Sequence, residues 1–322
     1  MLWPLSRYLP HDTKFDFVRL APFAAILSAL LIAGSIFSFA TQGLNLGIDF
    51  TGGTQIEVST PGTLQLGALR SEVARSGVGD AQVQGIGGAN AAMVRFRPKG
   101  ADSKVEVQAL STKLQAAFPG LQVKPAATVG AKVSGELFRA GFLALGVAIA
   151  LMLVYIWFRF GLQQGMGAVV GVFHDVLLTL GILSVLRIEF STESIVGLLT
   201  VIGYSMNEKV ITFDRLRENL AKYRRTPLRE IINLSENERL SRTVITGTTA
   251  LLALSGALFM GGHALFPLVF TMAFGIVVGT YSSIYIALPV VLLWGVKRGE
   301  DGPEKPIDMT AATRSGRAAK RA

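Results

Sequence analysis

The 322-residue sequence contains no cysteine, and only 16% of its residues are charged. The lack of cysteine excludes a disulfide framework, a thiol nucleophile and a cysteine-ligated zinc site. An ordinary soluble domain has about a quarter of its residues charged. The shortage of charge, combined with 50% hydrophobic residues, argues against a disordered chain and against a soluble single-core protein. The composition instead indicates a polytopic α-helical membrane protein.

Signatures of soluble chemistry are also missing. The three histidines, His11, His174 and His263, are too scattered to indicate a metal site. The sequence shows no Ser/His/Asp set, no carboxylate pair at glycosidase spacing and no dinucleotide fingerprint. The run TGGT at Thr51–Thr54 lacks the Lys and the following helix of a Walker motif, so we interpret it as a turn into a strand. We therefore expect no enzyme acting on a soluble substrate, no cofactor and no metal.

Long apolar runs are the main positive feature. Six segments have the length and apolar character of a membrane span, and these are Leu20–Ala40, Arg139–Phe158, Met166–Leu186, Ser194–Phe213, Thr243–Met260 and Leu268–Trp294. The residues Ser38 to Ala40 have the small-x-small pattern of a signal-peptidase site. Because the first apolar run is longer than a usual signal core, we interpret it as an uncleaved anchor.

The orientation follows from the distribution of Lys and Arg, which favour cytoplasmic loops. With the N-terminus inside, the basic segments are all cytoplasmic, and the outer loops between later spans hold only Arg187 and His263. The net charge of +9 is therefore explained by topology, and no nucleic-acid partner is expected. The resulting division is an N-terminal segment 1–19, a first span 20–43, an outside domain 44–130, spans two to six within 131–298, a cytoplasmic loop 214–241 and a disordered cytoplasmic tail 299–322.

The outside domain has alternating strand and helix patterns, separated by turn residues. The predicted elements are strands at Gln55–Val58, Ala81–Ile86, Ala91–Arg97 and Leu121–Ala126, with helices at Leu64–Ser76 and Ser103–Phe118. Their order is βαββαβ, which is typical of the ferredoxin-like α+β fold. In the cytoplasmic loop, apolar residues at helical spacing predict an amphipathic helix, broken at Pro227, on the membrane surface or against a partner.

Ionisable residues inside spans are costly and are therefore candidate functional residues. Glu208 lies in the cytoplasmic half of span four and shares a helical face with Ser205 and Thr212. It is either a protonatable group on an ion path or a structural carboxylate held by neighbours. Lys209 either extends to the cytoplasmic surface or tunes Glu208.

Two further positions complete the candidate site. Arg242 opens span five and leads a stripe with Thr246 and Thr249; it is either a partner of Glu208 or a positive-inside anchor. Asp175 lies near the centre of span three, where it is either functional or a neutral structural residue, whereas His174 is expected on another face. Two GxxxG pairs, Gly167 with Gly171 and Gly275 with Gly279, predict close helix packing.

Four motifs resemble those of the SecF family of protein-export membrane proteins, a branch of the SecD/SecF family in the resistance-nodulation-division superfamily. They occur in the order and spacing of that family, and they are GIDFTGGT at Gly47–Thr54, HDVLLTLGIL at His174–Leu183, VIGYSMNEKVITFDRLREN at Val201–Asn219 and SRTVIT at Ser241–Thr246. The resemblance implies an inner-membrane subunit that pairs with SecD, associates with the SecYEG channel and YajC, and uses the proton-motive force to promote translocation of unfolded polypeptides. It makes the outside domain periplasmic.

The resemblance also implies site residues. The proton-relay carboxylate of the family matches Glu208, and its intramembrane arginine matches Arg242. This chain departs from the usual Asn-Asp-small pattern, because it has Asn207-Glu208-Lys209. Two alternatives remain at this stage. One is a proton-driven efflux subunit for small molecules, for which about 85 outside residues leave little room, and the other is a passive scaffold. The basic loop and tail also leave contacts with anionic lipids open.

The predicted topology can be tested directly, since the chain has no native cysteine to interfere. A cysteine placed at Arg225 should resist an impermeant thiol reagent in intact cells, because the Arg215–Arg239 region is expected inside. A cysteine at Gln115, in the outside domain, should react under the same conditions. Labelling at position 225 without cell lysis would contradict the orientation.

Overall fold

Long helices account for most of the chain in a computed structural model that describes residues 13–78, 81–86, 88–98 and 103–295. The long helices are α1 (Phe17–Gln42), α5 (Ala131–Val185), α6 (Thr192–Lys222), α7 (Leu228–Met260) and α8 (Gly262–Ser282). A π-helical segment (Ser283–Ala287) and a short helix then complete the last long element. The predictions for 1–12, for His11 and for the tail 299–322 lie outside the described residues.

The elements of the smaller part alternate between strands and helices. They are β1 (Asn45–Leu46), α2 (Ile48–Thr51), β2 (Gly53–Ser59), α3 (Leu66–Arg75), β3 (Gln82–Gly85), β4 (Ala91–Phe96), α4 (Ser103–Ala117), β5 (Gln122–Val123), β6 (Ala127–Val129) and β7 (Glu189–Phe190). The short helix that ends the bundle is α9 (Leu288–Trp294).

Four helical segments in the described chain are long and apolar enough to cross a membrane, and they are Phe17–Gln42, Ala131–Val185, Leu228–Met260 and Leu265–Trp294. The second has 55 residues, which is far more than the roughly 20 that a bilayer needs. It is interrupted at Gly161, where φ is 71° and ψ is −177°. A left-handed φ of this kind suits glycine because it has no Cβ, so this residue separates the predicted spans two and three.

Helix α6 differs from the other long helices because it is both charged and central. It contains Glu193, Glu208 and Lys209, so its apolar character is lower than that of its neighbours. It nevertheless packs between α5, α7 and α8 and buries fifteen of its residues. Glu208 and Lys209 are among them, so these two charged residues lie inside the bundle rather than at its surface.

A five-stranded antiparallel sheet forms the core of the small domain. Its strand order is β3-β4-β2-β5, and β6 pairs with the first half of β2. Along β2, Thr54, Ile56 and Val58 are buried while the intervening residues are less so, as the two-residue period of a strand requires. Helices α3 and α4 cover one face and bury Leu69, Val73, Leu110 and Leu114. The predicted last strand, Leu121–Ala126, is shortened here to β5, and β6 follows it as a separate strand.

The TGGT run forms the turn that the sequence predicts, with β2 beginning at Gly53. Gly53 has φ of 122°, and a Cβ there would lie 2.9 Å from the carbonyl oxygen of Phe96. The short helix α2 just before it is an element that the sequence reading missed. Its Asp49 carboxylate accepts hydrogen bonds from the backbone N–H and the hydroxyl of Thr192, at 2.9 and 2.6 Å, and so caps the start of α6.

The small domain is joined to the bundle by a polar junction. Strands β1 and β7 pair in parallel, with Asn45 opposite Glu189. Arg95 of β4 forms an ion pair with Glu189 at 2.6 Å and donates to the Asn45 side chain at 3.2 Å. Burial raises the pKa of the Glu189 carboxyl, although the Arg95 guanidinium opposes this shift. The junction therefore connects a strand of the sheet directly to the loop that precedes α6.

The 214–241 region is helical on both sides of Pro227, as predicted, but these helices are the ends of α6 and α7 rather than a helix on the membrane surface. Helices α6 and α7 extend far into this region, and only 223–227 connects them. The apolar residues at helical spacing pack against the bundle itself, and the buried ones are Leu216, Leu220, Tyr223, Ile231 and Ile232. Since the chain's own helices already cover these side chains, no membrane surface or partner is needed to bury them.

Both GxxxG pairs lie where helices approach closely, as predicted. A Cβ at Gly167 would lie 2.5 Å from the carbonyl oxygen of Ala287, and one at Gly279 would lie 3.2 Å from the backbone of Ser205. Small residues allow such backbone contact between helices. The glycines therefore bring α5 and α8 close to the π-helical segment and to α6.

We expect Gly167→Ala to lower the thermal stability of the purified protein in detergent. The added methyl group meets a backbone oxygen that no side-chain rotation can move, and overpacking of this kind costs about 1–3 kcal/mol. Gly146→Ala is the matched control in the same helix, because nothing lies within 4 Å of its Cβ position. Equal melting temperatures for the two variants would contradict the close packing.

Candidate functional site

Two clusters of buried polar side chains lie inside the helical bundle. The aspartate cluster consists of Ser28, His174, Asp175, Ser205, Lys209 and Ser282. The glutamate cluster consists of Glu208, Glu236, Arg239, Thr243 and Ser283. Every one of these residues is buried, and most come from the central helix α6 and the helices around it. Polar groups are retained at such positions only where they satisfy one another.

The aspartate cluster is centred on an ion pair. The Nζ atom of Lys209 lies 2.8 Å from Oδ2 of Asp175 and also donates to the hydroxyls of Ser205 and Ser282, at 2.7 and 2.8 Å. The same Oδ2 accepts from both serines, at 2.5 and 2.7 Å. The ammonium thus has three oxygen neighbours, which matches its three N–H donors.

His174 continues this cluster toward α1. Its Nδ1 lies 2.9 Å from Oδ1 of Asp175, and its Nε2 lies 3.0 Å from the hydroxyl of Ser28. That hydroxyl also hydrogen bonds to Tyr281 at 2.9 Å. The expectation that His174 faces away from Asp175 is wrong, because the imidazole folds back over its neighbour's carboxylate.

Of the two sequence-based roles for Lys209, extension to the cytoplasmic surface is wrong. Its side chain has no exposed surface, so it does not extend to the cytoplasmic boundary. Its direct partner is Asp175 on α5 rather than the adjacent Glu208. The reason is helical geometry, since consecutive residues on a helix point about 100° apart. A substituent on Gly171 would meet the Lys209 side chain, so this glycine leaves the room that the lysine occupies.

The glutamate cluster is centred on Arg239 of α7. Its guanidinium binds Glu236 through Nε and Nη2, with contacts of 2.6–2.8 Å, and reaches Oε2 of Glu208 from Nη1 at 3.4 Å. The same Nη1 donates to Thr243 at 2.8 Å, and the Thr243 hydroxyl donates to Oε2 of Glu208 at 3.2 Å. Ser283 accepts from Nη2 at 2.9 Å.

The predicted contact between Arg242 and Glu208 is not found. Arg242, Thr246 and Thr249 are exposed on the outer face of α7, and Arg239, almost one helical turn earlier, contacts Glu208 instead. A shift of three residues keeps the arginine near the same helix neighbour but rotates it by about 60° toward the core. The predicted Ser205–Glu208–Thr212 stripe is buried, yet Ser205 joins the aspartate cluster and Thr212 donates to the backbone oxygen of Glu208.

The two clusters are adjacent along two elements at once. Glu208 and Lys209 are consecutive on α6, and Ser282 and Ser283 are consecutive where α8 gives way to the π-helical segment. In each pair, one residue belongs to each cluster. Single π-type turns are often found at functional sites because they re-aim side chains. A movement of either strip of backbone would therefore alter both clusters together.

The chemistry available here is the storage and exchange of charge. Carboxyl, imidazole and ammonium groups can hold or release protons, and hydroxyls can relay them. Within the described residues, no group of three or more His, Asp or Glu side chains is arranged to hold a metal. The arrangement is that of buried ionisable groups in a membrane bundle, which are characteristic of ion and proton pathways.

Glu236 and Arg239 are functional candidates that the sequence reading overlooked, because it assigned them to a solvent-exposed loop. A usable signal was present. Ile232, Glu236, Arg239 and Thr243 follow one another at intervals of three and four, so they share one helical face with a buried isoleucine. Charges on the apolar face of a helix are the exception that indicates an internal ion pair.

An outward polar strip marks the membrane-facing side of the same helices. On α7 it comprises Arg242, Thr246 and Thr249, and on α6 it comprises Thr200 and Asn207, all of which are exposed. These positions lie between apolar side chains that face the surroundings, such as Val196 and Leu252. Polar groups at such a surface are unfavourable against hydrocarbon.

Sequence comparison relates the chain to known proteins. The family model described as "Protein export membrane protein SecD/SecF, C-terminal" matches residues 109–297, and the SecD/SecF GG motif matches residues 37–60. The chain is 40% identical to the protein translocase subunit SecF of Cereibacter sphaeroides, with 92% of this chain and 94% of the relative covered. It is 36% identical to SecF of Rickettsia bellii, with 93% and 99% covered.

Structural comparison gives the same relationship. The crystal structure of SecDF, a translocon-associated membrane protein from Thermus thermophilus, matches with a TM-score of 0.81 and 33% identity over 91% of this chain. The match covers 40% of that longer chain, so this chain spans about two fifths of its length. SecDF in its super-membrane-facing form matches with a TM-score of 0.64 and 31% identity over 97% of this chain.

We expect Lys209→Met to destabilise the protein strongly, because it leaves Asp175 buried without its counter-charge, a change that costs about 3–5 kcal/mol. The double variant Asp175→Asn with Lys209→Met should recover much of that loss, since neither charge then remains. Thermal unfolding in detergent measures both effects. Lys222→Met, at the exposed end of the same helix, should change little. A double variant no more stable than Lys209→Met would argue against a paired charge.

Proposed function

The chain belongs to the SecF branch of the SecD/SecF family of protein-export membrane proteins, and on that basis we propose that it uses the proton-motive force to promote translocation of polypeptides through the Sec channel. Its named relatives are translocase subunits, so it is a transport subunit rather than an enzyme. The proposal requires no cofactor, because the proton gradient supplies the energy. That energy is about 2.3 kcal/mol per charge for each 100 mV of membrane potential.

The buried carboxyl of Glu208 is the observation that carries this proposal. Only 1% of Glu208 is exposed, and its contacts, to Arg239 and Thr243, are at 3.4 and 3.2 Å. A carboxyl that is buried in a membrane bundle and held by few contacts is typical of a proton pathway. Asp175 is more firmly held by Lys209 and two serines, which suits a fixed charge that steadies α6 next to the exchanging group.

SecD is the partner that we propose for the outward polar strip. Arg242 and its threonine neighbours would face lipid in the isolated chain, at a cost that a second membrane subunit removes by covering them. In that arrangement Arg242 contributes to the relay from the subunit interface, where it would face a carboxylate of the partner. SecYEG, YajC and the translocating unfolded polypeptide are the further partners that family membership suggests.

The proposed topology has six membrane crossings. They are α1, the two halves of α5 on either side of Gly161, α6, α7, and α8 with its π-helical and α9 extension. Helix α6 is counted because its neighbours enclose its charges, so that they need not meet lipid. Residues 44–130 would then form a ferredoxin-like periplasmic domain, supported by the observed β2-α3-β3-β4-α4-β5 order and the antiparallel β3-β4-β2-β5 sheet.

The bacterial inner membrane is the location that this function requires, with both termini cytoplasmic. The basic ends of α6 and α7 would then lie at the cytoplasmic surface, where they can contact anionic lipid headgroups. The alternative of a small-molecule efflux subunit is less well supported, because the outer domain is built around its own apolar core of strands and helices.

The decisive variant is Glu208→Gln, which keeps the size and hydrogen bonding of the side chain but removes titration. We expect export of a secreted precursor, in vesicles containing SecD and the channel under an imposed proton gradient, to fall to the rate measured without the gradient. Glu208→Asp retains titration and should keep much of the stimulation. Subunit levels and SecD co-purification are followed in parallel, so that loss of assembly is recognised.

A passive scaffold predicts the opposite outcome for these variants. If the Gln variant assembles normally and exports at the wild-type rate with the gradient applied, Glu208 is not the relay. Glu218→Gln is the matched control on the same helix, because this glutamate is exposed near the end of α6. Its export should keep the full response to the gradient.

A further inference from the structure

The glutamate cluster contains more carboxyl groups than cations. Two carboxyl groups, Glu208 and Glu236, share the single guanidinium of Arg239, and the exposed fractions of the three residues are 1%, 1% and 4%. With both carboxyls ionised, the cluster would hold one uncompensated negative charge. Burying an unpaired charge costs several kcal/mol, and a group in this situation usually neutralises instead.

The groups around the cluster do not supply the missing positive charge. Lys209 is next to Glu208 in sequence, but its ammonium is already paired with Asp175. Tyr204 of α6 and Tyr285 of the π-helical segment also interact with Glu208 and Glu236 respectively. Neither phenol can carry a positive charge. Thr243 and Ser283 contribute only hydroxyls. Among the described residues, Arg239 is therefore the one cation in direct contact with both carboxyl groups.

The hydrogen bonds divide the two carboxyl groups unequally. Glu236 receives the bidentate, charge-assisted contact from Nε and Nη2 of Arg239, at 2.6–2.8 Å. Paired contacts of this geometry are the strongest that arginine makes with a carboxylate. Glu208 receives only the single 3.4 Å contact from Nη1. The charge of Arg239 is thus largely neutralised by Glu236. Glu208 is therefore the carboxyl that must be neutral if the buried cluster is to have no net charge.

We propose that Glu236 is a positioning residue for proton exchange at Glu208. Because Glu236 neutralises Arg239, Glu208 keeps its proton as long as the Arg239–Glu236 pair is intact. The inference rests on the proposed role of Glu208 and deepens it. When Glu208 releases its proton, its carboxylate competes with Glu236 for Arg239. Since Arg239 also donates to Ser283, that competition reaches the π-helical segment and, through the adjacent Ser282, the aspartate cluster.

Infrared difference spectroscopy of the purified full-length protein can count the protonated carboxyls of this cluster at neutral pH. The wild type should show one protonated-carboxyl band from the cluster, and Glu208→Gln should lose it. Glu236→Gln should lose the same band although Glu208 is still present, because Arg239 is then free to neutralise Glu208. Arg239→Gln should gain a second band, since both carboxyls then lack a cation. Glu230→Gln, at an exposed position on the same helix, should leave the spectrum unchanged.

A Glu236→Gln spectrum that retains the Glu208 band would overturn the proposal, because protonation of Glu208 would then be independent of Glu236. Glu236→Asp should restore the band if a carboxylate is what matters, whereas a purely packing role predicts no such rescue. If Arg239→Gln fails to fold, the three glutamate variants still decide the question.

The spectroscopic result is independent of export. The predicted bands can be observed even if export does not depend on the gradient. In that case the proposed function fails, but the protonation of Glu208 through Glu236 stands. Conversely, export can depend on Glu208 while Glu236→Gln leaves the band in place, in which case only the present inference fails. Under the proposal, Glu236→Gln should also lose the gradient-dependent stimulation of export, whereas Glu230→Gln should keep it.

Discussion

The ion pair between Asp175 and Lys209 lies where helices α5, α6 and α8 meet, and the arrangement of the bundle depends on it. Each of the two charges would be prohibitively costly alone in an apolar interior. Together, and with Ser205 and Ser282 completing their hydrogen bonds, they hold α6 at the centre of the bundle. Because α6 is fixed there, Glu208, the residue immediately before Lys209, lies in the interior as well.

The surroundings of Glu208 suit the proton exchange that we propose for it. Its carboxyl lies among a guanidinium, a second carboxyl and two hydroxyls, all removed from water. The shared backbone strips at 208–209 and 282–283 connect this cluster to the fixed ion pair. Under the proposed function, a change of charge in one cluster would therefore act on backbone that the other cluster shares.

The junction with the small domain places that domain within reach of the same helix. Asp49 caps the start of α6, and the Arg95–Glu189 ion pair ties the sheet to the preceding loop. Both contacts lie at one end of α6, while the glutamate cluster lies further along it. A shift of α6 along its axis would move β7, which precedes it directly, and so would disturb the pairing between β1 and β7. The small domain and the glutamate cluster thus both contact α6, at different points along its length.

The sequence by itself determined the class of the protein, the long helices, the order of the main strands and helices in the small domain, and the positions of Asp175 and Glu208 inside apolar runs. These features follow from hydropathy, periodicity and the rarity of charge inside apolar runs, which are all local properties of the chain. It did not determine the partners of the charges. Lys209 turns inward to Asp175, Arg239 replaces Arg242 beside Glu208, and Glu236 joins them. Only the tertiary structure decided these pairings, because a rotation of about 60° on one helix separates a lipid-facing arginine from a buried one, and that rotation is set by packing against the other helices.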